Sequence, residues 1–297
     1  MAERSRLRTV STLRDQIAAR LMGRVDDPMA EARELLAALH DAPLSWSSTH
    51  ADDELIDLLV DAADDATARR LLGAPMAYAT GRAAFRHLFL HVDERVLIPR
   101  PETEELVTLA LPMIGAGTTV VDVGTGSGAI ALALAQESDA RRVIGTDASA
   151  GAIEVAEMNA RAVLTREYAR TEFLRGNLLE PVGVEPIDVV VSNPPYIALT
   201  ERAELPPAVK DWEPAQALFG GYDGMSVIRE LVSQAESRLT AGGVLLMEID
   251  ARRALETTAL MAEPQWRDVQ VLSDAFGRDR FVSARRSAAV ARQRSAD

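Results

Sequence analysis

The stretch VVDVGTGSGAIALALA, Val120 to Ala135, decides how the rest of the chain is read. A β-branched apolar run ends at Val123, glycines follow at alternate positions (Gly124, Gly126, Gly128), and an apolar helical run begins at once. A buried strand that turns sharply into a helix is the opening unit of a parallel α/β sheet, and glycines at the turn let the backbone approach a ligand closely. The spacing is G-x-G-x-G, not the G-x-G-x-x-G of pyrophosphate-binding folds, and no Walker lysine follows. Asp147 ends the next β-rich run about 20 residues on, where a carboxylate can accept hydrogen bonds from ribose hydroxyls. Asp122, just ahead of the glycines, can either orient the loop or meet an ammonium group on the ligand.

Working outward, six β-rich runs alternate with helical segments from Glu102 on: TTVVDVG, RRVIGTD, TEFLRGN, IDVVVSN, GGVLLMEI and DVQVLSD. This alternation predicts an open, mostly parallel sheet with helices on both faces. Upstream, Ser11 to Leu72 carries apolar residues at helical spacing, with Ser11, Asp27 and Asp52 as candidate N-caps. The acidic run Asp52, Asp53, Glu54, Asp57, Asp61, Asp64 and Asp65 reads as a solvated helix face or as a partner-binding surface. Phe85 to Pro99 alternates like a half-buried hairpin. The expected division is a helical substrate-recognition domain at 1–83, a hairpin linker at 84–101, a catalytic domain at 102–285 and a disordered tail at 286–297.

Composition narrows the function. The 297 residues carry a net charge of -13, and Lys210 is the single lysine among 32 basic residues, which argues against a nucleic-acid phosphate backbone as partner. With no cysteine, thiolate metal sites and cysteine nucleophiles are excluded, and no metal is expected. All four histidines (His40, His50, His87, His91) lie in the first third of the chain, so the catalytic half works without imidazole. No apolar run reaches the roughly 20 residues of a membrane span, and the first residues lack a signal peptide's apolar stretch. A cytoplasmic location without membrane contact is expected.

Asn193-Pro194-Pro195-Tyr196 follows the fourth β-rich run, at the sheet edge where ligands of open α/β folds bind. A planar amide or aromatic amine is a poor nucleophile because its lone pair is delocalised. Two acceptors on its two hydrogens would localise that pair and fix the line of attack. The Asn193 side-chain carbonyl can supply one and the Pro194 backbone carbonyl the other. The prolines stiffen the turn, and Tyr196 can cover the flat face of the substrate. Alone, the quartet also reads as a Pro-Pro turn with a packed tyrosine.

DVGTGSG with VIGTD resembles the cofactor signature of class I S-adenosylmethionine-dependent methyltransferases. That resemblance implies a Rossmann-like domain with a seven-stranded, mostly parallel sheet, the cofactor loop at Asp122, Gly124, Thr125, Gly126, Ser127 and Gly128, and the adenine beside Asn177 and Leu178. Asn177 stands where an aspartate is commoner. The NPPY motif is shared by enzymes that methylate adenine amines and enzymes that methylate glutamine amides. GAPMAYATG (73–81), VLIPRPETEELV (96–107), NPPYI, DWEPAQALFGGYDGM (211–225) and FGRDRFV (276–282) are similar to segments of the PrmC/HemK family. The resemblance implies a monomeric enzyme that methylates the Gly-Gly-Gln glutamine of class 1 peptide release factors. In it Asn193 contacts both cofactor and substrate, as do Pro194, Pro195 and Tyr196 the substrate, while Arg100 and Glu102 sit at the mouth of the site or serve as surface charges. Other readings are a glutamine methyltransferase for a ribosomal protein, an adenine-amine methyltransferase of nucleic acid, and a non-catalytic binding protein. The chain departs from the family pattern at MEIDARRA, with Asp250 and Arg252, which predicts an altered surface helix start.

Overall fold

Five consecutive buried residues, Thr119 to Val123, form β3, and a strand with no polar face is stable only where helices cover both sides of its sheet. The chain builds that arrangement in a computed structural model describing residues 8–261 and 263–288. First come helices α1 (Val10–Leu21), α2 (Pro28–Leu39), α3 (Trp46–Thr49), α4 (Asp57–Leu71) and α5 (Met76–Thr80), then hairpin β1 (Arg82–Phe85) and β2 (Leu88–His91). α6 (Pro101–Ala110), β3, α7 (Ala129–Glu137), β4 (Arg142–Asp147), α8 (Ala150–Val163), β5 (Thr171–Arg175) and β6 (Ile187–Ser192) follow. The chain continues through α9 (Pro207–Lys210), α10 (Ala215–Leu218), α11 (Ser226–Arg238), β7 (Leu239–Glu248), α12 (Ala254–Ala259), β8 (Trp266–Ser273) and β9 (Asp279–Arg286).

The seven-stranded sheet has the order β5-β4-β3-β6-β7-β9-β8. Its strands are parallel except β9, which runs antiparallel between β7 and β8. The order reverses beside β3, so the carboxyl ends of β3, β4 and β6 open one crevice at the switch point. Two apolar layers sandwich the sheet, one packing α6, α7 and the hairpin, the other α11 and α12.

Several expectations shift. The tract FGRDRFV, matched above only as a family segment, opens β9, a seventh strand beyond the six runs. The hairpin begins at Arg82 and not at Phe85, so the expected boundary at 83/84 cuts through β1. Its turn is held from outside: Arg86, at φ 53, donates its backbone N–H to Glu104 Oε1 at 2.9 Å and its guanidinium to Glu137 at 2.6 Å. Thr9, not Ser11, caps α1, and Asp27 caps α2 as expected. α4 starts at Asp57 behind Ile56, so Asp52 caps nothing. Strand β9 reaches Arg286, one residue past the expected end of the catalytic domain and into the tail expected at 286–297; residues 289–297 of that tail lie outside the described residues.

Candidate active site

The three glycines after β3 sit at φ 73, 54 and 84, a region costly for side chains with a Cβ. The loop they form is bonded to the neighbouring strand: the Gly124 and Thr125 amides both donate to Thr146 O at 2.9 Å, and the Gly126 amide donates to Asp147 Oδ2 at 3.0 Å. Beneath it, Asp122 is fully buried. Its Oδ2 accepts from the Thr125 hydroxyl at 2.6 Å and from the Ala131 amide at 3.1 Å. Of the two readings open for Asp122, the geometry supports the orienting one. Burial pushes its carboxyl up to about 7, against the opposing effect of those two hydrogen bonds.

A cavity lies over the loop, lined by Val123, Gly124, Gly126, Asp147, Asn177, Leu178, Asn193, Pro195 and Val227, and closed on one side by Arg95 to Leu97 and Pro214 to Ala217. Thr125, Ser127 and Gly128 do not line it; they build the turn from behind, and Ser127 O accepts from the buried Asn159 amide at 2.9 Å. Each Asp147 oxygen holds one backbone donor, Gly126 or Ser149, which leaves lone pairs free for hydroxyls. Asn177 Nδ2 donates to Glu230 Oε1 of α11 at 2.5 Å. Leu178 follows at φ 49, a left-handed backbone costing a branched residue about 1–2 kcal/mol.

A second cavity meets the first. It is lined by Leu97, Arg100, Asn193, Pro194, Pro195, Tyr196, Ile197, Leu205, Val209, Ala217 and Leu218. Leu97, Asn193, Pro195 and Ala217 belong to both walls. The Ser192 hydroxyl donates to Val123 O at 2.7 Å, tying the end of β6 to β3 one residue before Asn193. Among the described residues, no protein donor meets Asn193 Oδ1 or Pro194 O.

The tract 218–224 straps this loop in place. Ile197 N–H donates to Leu218 O at 3.1 Å and Gly220 N–H to Ile197 O at 3.0 Å. A Cβ on Gly220 would stand 2.3 Å from Pro195 O, so only glycine permits the approach. Arg253, buried, donates to Asp223 O at 3.1 Å and pairs with Glu201 and Asp250. The altered MEIDARRA tract therefore does more than start a surface helix: it anchors the strap, with Asp250 accepting from the Arg252 amide at 2.9 Å.

Arg100 reaches the second cavity and donates to Glu213 Oε1 at 2.6 Å. Glu213 is almost wholly buried, and desolvation raises its pKa. Glu102 is exposed in the first turn of α6 and lines neither cavity; Glu104 clasps the hairpin. Sequence reasoning missed Thr103 and Glu248. Asn193 Nδ2 donates to Thr103 Oγ1 at 3.0 Å, and Thr103 Oγ1 donates to Glu248 Oε2 at 2.7 Å. A glutamate closing the apolar strand GGVLLME was the available signal, since a carboxylate there is buried and must be paired.

Residues 12–81 match the PrmC N-terminal domain and residues 103–205 the methyltransferase small domain. A release factor glutamine methyltransferase of Cereibacter sphaeroides is 36% identical over 283 residues, covering 95% of this chain and 100% of that protein. The protein of the same name from Gloeobacter violaceus is 40% identical, covering 70% of this chain and 73% of its own. A solved methyltransferase from Pyrococcus furiosus shares the fold, with a TM-score of 0.52 at 18% identity, covering 74% of this chain and 97% of that one.

Proposed function

The chain belongs to the family of release factor glutamine methyltransferases, and from that premise we propose how its residues divide the work. The enzyme transfers a methyl group from S-adenosylmethionine to a glutamine of a peptide chain release factor. The acceptor is the side-chain amide nitrogen of the Gly-Gly-Gln motif of class 1 factors.

One observation carries the residue assignment: Asn193 and Pro195, with Leu97 and Ala217, line both cavities and form the seam between them. The glycine-loop cavity suits S-adenosylmethionine, because the Asp147 carboxylate faces it beside apolar Leu178 and Val227. Gly124, Gly126, Asp147, Asn177 and Leu178 would hold the cofactor directly, and Asp122, Thr125, Ser127 and Gly128 would shape their loop. When bound, the cofactor supplies an electrophilic methyl group on a sulfonium.

The second cavity would receive the glutamine side chain. Asn193 Oδ1 and Pro194 O accept its two N–H hydrogens, which localises the nitrogen lone pair and aims it across the seam. No base is needed before transfer, since the proton can leave to water afterwards. Tyr196 covers the face of the amide, its phenol kept neutral by burial and by Glu248 nearby. Arg100, anchored by Glu213, is free to meet a carbonyl beside the target.

The helical region, residues 1–83, is proposed to engage the factor's body while the chain acts as a monomer. A groove between this region and the hairpin is lined by Leu39, Trp46, Leu55, Ile56, Leu58 and Leu59, together with Asp53, Glu54, Arg82 and His91. Among the described residues, no helix is long and apolar enough to cross a membrane.

The test is incubation with labelled donor and, separately, a class 1 release factor, the same factor with its Gly-Gly-Gln glutamine replaced, ribosomal proteins, and DNA. Label on the intact factor alone is expected; label on the substituted factor, a ribosomal protein or DNA would overturn the substrate assignment. Asn193→Ala should abolish transfer with donor binding near normal. Unchanged turnover in that variant would defeat the amide clamp.

A further inference from the structure

We propose that Glu248, acting through Thr103, dictates which end of the Asn193 carboxamide faces the substrate. This rests on the amide-clamp reading above and adds two positioning residues to it. Glu248 is 1% exposed at the end of β7, and Thr103 is 5% exposed in the first turn of α6. The two lie 145 positions apart in sequence and meet at 2.7 Å.

The direction of each hydrogen bond follows from donor and acceptor inventory. An ionised carboxylate can only accept, so the single hydroxyl hydrogen of Thr103 is committed to Glu248. Thr103 Oγ1 is left with lone pairs alone and must itself accept from Asn193. Of the two ends of the Asn193 carboxamide, only Nδ2 donates, so it turns inward at 3.0 Å and Oδ1 is forced outward to the seam. Without this constraint the two orientations of a carboxamide are near-equal in shape, and the flipped one would present two N–H donors to a substrate that also has only N–H donors to offer there. An asparagine in the flipped orientation would repel the amide it must hold. The buried charge has a second effect in the same direction: a run of aligned hydrogen bonds polarises each member, so Oδ1 becomes a stronger acceptor.

The groups facing Glu248 are Thr103 and Glu102 from α6, Tyr196 from the NPPY loop, whose hydroxyl stands 3.5 Å from Oε1, and Arg280 from β9, with desolvation the largest influence, raising its pKa. Protonation of Glu248 would free the chain to reverse, with the carboxylic acid donating to Thr103 and Thr103 donating to Asn193 Oδ1. A glutamine at 248 permits the same reversal.

The experiment compares Thr103→Val, Thr103→Ser, Glu248→Gln and Asn193→Ala with the native enzyme, measuring kcat and KM for release factor, calorimetric donor Kd, and Tm. Thr103→Val and Glu248→Gln should lower kcat by about ten- to hundredfold, the range found for outer partners that orient metal ligands. Donor Kd and KM should stay within about twofold, a split that loss of packing would not produce. Thr103→Ser, which keeps the hydroxyl, should recover kcat. The native enzyme should lose kcat as pH falls through the raised Glu248 pKa, and Glu248→Gln should lack that limb. Full kcat in Thr103→Val or Glu248→Gln beside a dead Asn193→Ala overturns this inference and leaves the clamp standing. Full activity in Asn193→Ala overturns the clamp itself. Equal losses in Thr103→Val and Thr103→Ser with lowered Tm would assign the site to packing and also overturn the inference.

Discussion

The Gly126 amide donates to Asp147 Oδ2 at 3.0 Å, so the carboxylate that ends β4 braces the glycine loop that follows β3. One side chain thus shapes the glycine loop and faces the cavity over it, the proposed cofactor site. Asp147→Ala removes both roles and should raise the donor Kd about tenfold or more, as expected for loss of hydrogen bonds to a charged group. Calorimetry checks this, and an unaltered Kd would move the ribose contact elsewhere.

Gly220 touches the reacting loop without lining it. In Gly220→Ala the new Cβ would meet Pro195 O at 2.3 Å and Gly224 O at 2.6 Å, and neither backbone can yield without shifting NPPY. Expected are a kcat loss larger than any change in donor Kd and a Tm lower by several degrees, for a cost of about 1–3 kcal/mol. Gly115→Ala, with nothing within 4 Å of its Cβ, should behave as native in the same scanning calorimetry.

Stability of the unliganded protein should depend on pH through Asp122. Its folded pKa, raised by burial to about 7 from 3.8, means that the native state binds the proton more tightly than the unfolded chain. The contribution is therefore fully present below pH 3.8 and is lost as pH rises to about 7, with a slope of up to about 1.4 kcal/mol per pH unit. Buried Asp147, Glu213 and Glu248 slope the same way, so the native-minus-Asp122→Asn difference in denaturant unfolding isolates this group. A difference constant between pH 4 and 8 would refute the assignment.

Arg100 is paired with Glu213, and the proposed mechanism also has it meet the substrate. Arg100→Ala leaves a buried carboxylate without its cation and should destabilise by about 1–3 kcal/mol at pH 8. The loss should shrink as pH falls, since desolvation raises the Glu213 pKa and the neutral acid needs no partner. Adding Glu213→Gln should restore most of the lost stability. If KM for release factor stays raised in that restored double variant, Arg100 contacts substrate directly; if KM returns to native, its role is structural.

Much of this protein was legible before folding. VVDVGTGSGAIALALA announces a buried strand, a turn and a helix because burial on both faces demands an unbroken apolar run and the turn demands residues without Cβ. NPPY offers paired acceptors on a stiff loop, the pattern that the proposed attack by a planar nitrogen needs. Local pattern could not reveal β9, whose eight residues alternate weakly and whose pairing with β7 is a long-range choice.

What the sequence by itself determined, then, is the set of groups available for the proposed chemistry: the glycine turn, the carboxylate Asp147 and the acceptors of Asn193 and Pro194, all read from residue type and short spacing. Tertiary structure alone decided their orientation. Thr103 and Glu248 come from α6 and β7, and Gly220 from a strap beyond α10; only packing of the sheet brings them against Asn193 and Pro195. Hydrogen-bond direction is a property of a completed network, set by which neighbours can donate, and no stretch of sequence contains those neighbours together.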